Sequence, residues 1–138
     1  MTTKGSTMTE HSASCSCGQL TAIARGEPVR ISVCHCLECQ KRTGSAFGVQ
    51  ARFPESAVTI SGDSTQFART GDEGTTARFH FCPVCSAIVY YRMDAMPGFV
   101  AIPVGAFADP TFPSPRVSVY NDRQHPWLRL ADEIERMD

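Results

Sequence analysis

The sequence predicts a mostly β fold: one compact domain of short antiparallel strands, its strand ends stapled together by metal, with a short helix or turn at the C-terminus. Three observations carry this. Glycine and proline recur at short intervals from Gly18 to Pro126, the spacing of turns between short strands. The segments between them are β-prone. All seven cysteines fall into three tight clusters, Cys15-Ser16-Cys17, Cys34-His35-Cys36-Leu37-Glu38-Cys39 and Cys82-Pro83-Val84-Cys85, with none left over.

Along the chain, residues 1–11 are rich in Thr and Ser and lack an apolar stretch, so they read as a loose tail and not as a secretory signal. The domain is set at residues 12–138. Strands are expected over 20–24, 29–33, 46–53, 58–60, 75–81, 87–91, 99–104 and 116–120. The run from Val29 to Val33 alternates apolar and polar residues and delivers the chain to Cys34. Helix is expected for a turn or two over residues 37–43. It is also expected over 126–137, where Trp127, Leu130, Ile134 and Met137 recur at three- and four-residue steps.

Composition narrows the function. With 138 residues, 42% hydrophobic and 20% charged, the chain suits one globular domain. Thirteen basic against fourteen acidic residues leave a net charge of −1, which provides no basic footprint for nucleic acid. No apolar run approaches the ~18 residues of a membrane span. A cytoplasmic location is therefore expected, where thiols stay reduced and clustered cysteines bind metal in preference to forming disulfides. The odd cysteine count also argues against complete pairing.

Cysteines one or two residues apart can aim both thiolates at one soft cation, and such pairs repeated at a distance are the sequence form of a zinc site. Two pairs make a closed four-sulfur site of structural type, and three remaining sulfurs leave an open position, as a catalytic zinc requires. Cys34 and Cys36 project to one face of an extended segment and His35 to the other, so Cys34, Cys36 and Cys39 can share a metal while His35 packs or hydrogen-bonds behind it. A three-thiolate zinc suits capture of a fourth sulfur, since coordination lowers a thiol's pKa. The substrate these ligands imply is a small thiol. Two alternatives stay open on spacing alone. A fourth ligand, among His11, His80 and His125, closes the site, or the central cluster pairs with one of the outer ones.

In this order, Cys15-Ser16-Cys17-Gly18, Val33-Cys34-His35-Cys36-Leu37-Glu38-Cys39-Gln40-Lys41 and Phe81-Cys82-Pro83-Val84-Cys85 resemble the glutathione-dependent formaldehyde-activating enzyme (GFA) family, also described as CENP-V-like domains. Gly44-Ser45-Ala46-Phe47 and His125-Pro126-Trp127-Leu128 add to the likeness, which covers about residues 11 to 130. The resemblance implies a β-tent kind of fold with two zinc ions per chain. One is structural on Cys15, Cys17, Cys82 and Cys85, and one is catalytic on Cys34, Cys36 and Cys39. The implied activity is a carbon–sulfur lyase's: joining glutathione to formaldehyde, giving S-hydroxymethylglutathione. The family has Gly after the last cysteine where this chain has Ser86, which points to positive φ there.

A peptide thiol such as glutathione carries carboxylates that need cationic partners. Lys41 and Arg42 lie nearest the cluster in sequence, with Arg52, Arg69 and Arg92 as further candidates. No general acid or base stands out. The rival from another class is a non-enzymatic two-zinc binding module. A zinc deaminase is excluded because His-x-Glu followed by Pro-Cys-x-x-Cys is absent.

Overall fold

The computed structural model describes residues 9–71 and 73–137. In chain order its elements are β1 (Glu10–Ser14), β2 (Thr21–Arg25), β3 (Arg30–Cys34), α1 (Leu37–Thr43), β4 (Gly48–Pro54), β5 (Val58–Ser61), β6 (Thr65–Thr70), β7 (Thr76–Phe81), β8 (Ile88–Met93), β9 (Phe99–Pro103), β10 (Val117–Val119) and β11 (Glu135–Met137). Two sheets form from them. The smaller has the order β1-β2-β5, and the larger the order β11-β10-β3-β4-β9-β8-β7-β6.

Strand alternation decides what each face of the large sheet does. Ile31, Ala51, Phe53, Val100 and Ile102 point to one side and pack with Leu20, Ala22 and Ala24, forming the main core. Phe53, Leu20 and Ile102 are wholly buried. Each side chain of that size contributes about 1.5–3 kcal/mol by leaving water, which holds the register. On the opposite face lie Ser32 and Cys34 of β3, Gln50 and Arg52 of β4, Ala101 of β9, and Phe79 and Tyr91 of β7 and β8. This face carries Cys34, Arg30, Arg52 and Tyr91, although most of its residues are buried.

Most expected strands are present within a residue or two, and α1 covers the expected turns. The antiparallel pattern has two exceptions: β10 runs parallel to both β3 and β11. Parallel neighbours need a long connection, and both segments have one, β10 following β3 through most of the domain and β11 following β10 through residues 120–134.

The C-terminal helix expected over 126–137 is replaced by turns and by β11. Its periodic residues find nothing to cover, for Trp127 is 67% exposed and Met137 39%. The chain instead pairs along the open edge of β10, with the Glu135 amide donating to the Arg116 carbonyl at 2.9 Å. β1 and β6 went unread because Glu10–Ser14 is mostly polar, with Ala13 its one buried residue, and β6 is almost wholly exposed. β1 takes up Glu10 and His11 of the expected tail, and residues 1–8 lie outside the described residues. The His11 ring packs against Phe112 at 4.9 Å and Phe107 at 5.9 Å.

Candidate functional site

The sulfurs of Cys15, Cys17, Cys82 and Cys85 lie within 4.8 Å of one another, and so do those of Cys34, Cys36 and Cys39. This division removes the alternative in which the central cluster pairs with an outer one. All seven cysteines are free of disulfides. The Cys17 sulfur stands 3.7 Å from that of Cys15 and 3.6 Å from that of Cys82. Metal–sulfur bonds of about 2.3 Å in a tetrahedron set sulfurs about 3.8 Å apart, so this donor set fits a zinc-sized ion.

The four-sulfur cluster joins the end of β1 to the turn after β7. Main-chain amides aim at the sulfurs: Leu20 N–H at Cys15 (3.3 Å), Val84 N–H at Cys82 (3.3 Å) and Cys17 N–H at Cys85 (3.5 Å). Burial pushes the Cys82 thiol up, but the Cys85 amide, the Gln19 side chain and the Val84 amide outweigh it and bring it down to about 6. Gln19, unread in the sequence, organises this corner. Its Nε2 donates to the Cys82 sulfur at 3.0 Å, and its Oε1 accepts from the Asp63 amide at 2.9 Å. Gly62 at φ +101° lets the Gln19 loop close in, for a Cβ there would sit 1.9 Å from the Gln19 carbonyl oxygen.

Ser86 has φ +70°, the left-handed conformation its position implied, and its amide donates to the Cys82 carbonyl at 2.8 Å. A side chain in that region costs up to about 1 kcal/mol relative to glycine. Ser86→Gly is expected to stabilise the folded protein by up to about that amount, read as a higher denaturant midpoint at unchanged slope. An unchanged or lower midpoint would show that the turn carries no strain.

The three-sulfur cluster forms where β3 runs into α1. Cys36 is the helix N-cap, its sulfur accepting from the Cys39 amide at 3.3 Å, and Gly44 closes the helix at φ +72°. Thiols from Cys34 and Cys39 donate to Cys36, which is thereby lowered to about 2, while Cys34 is raised because it keeps the proton it shares with Cys36. Only a cation brings all three to thiolate together.

His35 turns away from the sulfurs, as alternation required. It is fully buried and its Nε2 donates at 2.8 Å to the Ser118 hydroxyl, which donates in turn to Asn121 Oδ1 at 2.6 Å. Burial lowers its pKa, aided by Arg136 and His125. The free histidines are engaged elsewhere: His80 with the Ser64 hydroxyl (2.9 Å), His125 with Gln40 Oε1 (2.9 Å), and His11 in the aromatic core. Among the described residues, no histidine or carboxylate completes the three-sulfur group.

The family model for the glutathione-dependent formaldehyde-activating enzyme matches residues 10–123, a span that contains both sulfur groups. The chain belongs to this family. No curated protein matches the sequence. A crystal structure of a Rhodobacter sphaeroides protein, 19% identical, shares the fold at a TM-score of 0.54, covering 69% of this chain and 85% of its own. Among the described residues, no helix of this GFA-family chain is long and apolar enough to cross a membrane.

Of the cations read from the sequence, most are already paired. Lys41 is exposed and contacts Glu38 at 3.6 Å, which Arg69 also reaches at 3.3 Å. Arg92 grips Glu55 with two hydrogen bonds, of 2.9 and 2.7 Å. Arg42 differs: its Nη2 donates to the Cys39 sulfur at 3.5 Å while its guanidinium covers the Phe79 ring at 4.6 Å and Tyr91 at 5.5 Å. A cavity of about 20 Å³ separates Arg42 from Gly48, Gln50, Tyr91 and Pro103. Arg52 lies further along β4, directly across from Arg30 of β3. Sequence reasoning missed Arg30, since nothing in spacing says that two cations will meet across strands.

Proposed function

We propose that this GFA-family chain is a zinc enzyme that adds a small, glutathione-like thiol to a small aldehyde such as formaldehyde, or catalyses the reverse carbon–sulfur cleavage. The observation that supports it is the asymmetry of the two sulfur groups. Four converge on one point from distant parts of the chain, and three converge where β3 runs into α1, with no histidine or carboxylate among the described residues to complete the group. We assign Cys15, Cys17, Cys82 and Cys85 to a structural zinc and Cys34, Cys36 and Cys39 to a catalytic one. Zinc on the latter three would hold an incoming thiol as thiolate at neutral pH.

The chain's own groups then set the geometry. Arg42, already beside the Cys39 sulfur, lowers the cost of a further negative charge there. In the addition, the sulfur lone pair forms the S–C bond as the carbonyl π bond breaks, and the resulting alkoxide takes one proton from solvent. We place the protein in the cytoplasm, where the thiols of both groups stay reduced. Its near-neutral charge disfavours a nucleic-acid partner.

The test is a thiol titration of the Co²⁺-substituted protein. About two metal ions per chain are expected, with the visible spectrum shifting on addition of glutathione but not of its S-methyl form. Absence of a response to every thiol would sink the enzyme reading and leave a two-zinc binding module.

A further inference from the structure

Arg30 and Arg52 are Cα partners across β3 and β4, and their side chains share the face that carries Cys34. Like charges placed directly opposite on a sheet repel. Here no acid offsets them: neither guanidinium has an ion pair among the described residues, and the Arg30 Nε is buried without any hydrogen-bond partner. Arg30 is mostly shielded from solvent and Arg52 likewise, and Ala101 flanks Arg52 on β9. Burial lowers the Arg52 pKa, Tyr91 opposing this and Arg30 adding to it. Keeping two partly desolvated cations together costs stability, and a bound anion would repay it through charge-assisted hydrogen bonds.

The position of the pair identifies the anion. Arg30 and Cys34 are four residues apart on one strand, as are Arg52 and Gly48 on the next, so the cations lie about 13 Å along the face from the sulfurs. Ser32 and Gln50, both buried, lie between them on this face, the Gln50 amide donating to the Ser32 hydroxyl at 2.9 Å. In a tripeptide thiol whose sulfur sits on the central residue, a terminal carboxylate lies about two extended residues, roughly 7 Å, from the sulfur, and arginine side chains cover the remainder.

We propose that Arg30 and Arg52 form a carboxylate-binding subsite that selects thiols bearing a carboxylate about two extended residues from the sulfur, as at the ends of a tripeptide with a central cysteine, while Arg42 attends the sulfur. This rests on the thiol-addition reading for the identity of the ligand. Lys41, Arg69 and Arg92 are excluded from the role by their own acids.

The experiment compares wild type with Arg52→Met, Arg30→Met and Arg52→Lys in the Co²⁺-loaded full chain. Three probes are used: glutathione, its diethyl ester and 2-mercaptoethanol. Either Met variant is expected to weaken glutathione about tenfold or more, the loss of a charge-assisted contact, and to leave the ester and 2-mercaptoethanol unchanged. Arg52→Lys should recover part of the loss. Melting temperatures should hold or rise, since a repulsion is relieved. Equal losses for glutathione and its ester, or none for either, would overturn the proposal even where thiols still shift the spectrum.

A separate arm uses S-methylglutathione, which keeps the carboxylates but offers no thiol. It is expected to shift the Arg30 and Arg52 Hε resonances of the wild type in ¹⁵N-labelled protein. No shift there would reject the anion subsite, whereas a shift without any thiol response in the cobalt spectrum would retain it and reject only the thiol-addition reading.

Discussion

Cys82→Ser is expected to abolish the fold. Cys82 is wholly buried, and its sulfur collects the Gln19 amide at 3.0 Å, the Val84 amide at 3.3 Å and the Cys17 sulfur at 3.6 Å. Its cluster ties β1 and the Gln19 loop to the turn after β7, closing most of the domain into one loop. Structural zinc contributes about 10–16 kcal/mol of apparent binding free energy, comparable with or larger than the ~5–15 kcal/mol by which whole domains are stable. A serine hydroxyl replaces a thiolate poorly at such a site. The variant should purify with less than its full metal load and show a far-UV circular dichroism spectrum without native strand signal at 25 °C. A variant that melted within a few degrees of wild type would disprove the structural role of this cluster.

Cys39→Ser is expected to do the reverse: keep the fold and lose the chemistry. Cys39 belongs to α1, no residue of which is buried, so loosening that helix exposes little apolar area. Cys36 retains its capping position at the head of the helix. The protein should fold with one zinc per chain, while thiol-dependent addition to formaldehyde falls by about three orders of magnitude, equivalent to about 4 kcal/mol of barrier. Paired calorimetry and activity measurements on this variant and Cys82→Ser separate the two clusters. If Cys39→Ser melts as low as Cys82→Ser, both clusters are structural and the enzyme reading fails.

Much of this was legible from the chain. Thiols spaced by one or two residues can meet without any help from the rest of the fold, which is why the clusters and the turned-away His35 could be read locally. The positive φ of Ser86, +70°, was legible only through the family resemblance, which places Gly at that position. Core-facing β3 announces itself by alternation, because burial selects every second residue, and β4 and β9 by β-prone residues between turn signals. β1, β6 and β11 have at most one buried residue each and are held through main-chain pairing that any sequence can offer. The periodic residues Trp127, Leu130, Ile134 and Met137 misled for the opposite reason: a helical stripe forms a helix only where a surface exists to bury it.

The sequence by itself marked both cysteine groups as places that could hold a metal, because thiol ligands and their local spacing are legible along the chain. Tertiary structure decided which clusters share a point, and it decided which cations are free. Lys41 stands beside the cluster in sequence and is neutralised by Glu38, whereas Arg52 lies further along the chain and meets Arg30 across the sheet with no acid between them among the described residues. Charge pairing depends on distance through space, and only the register of β3 against β4 sets that distance.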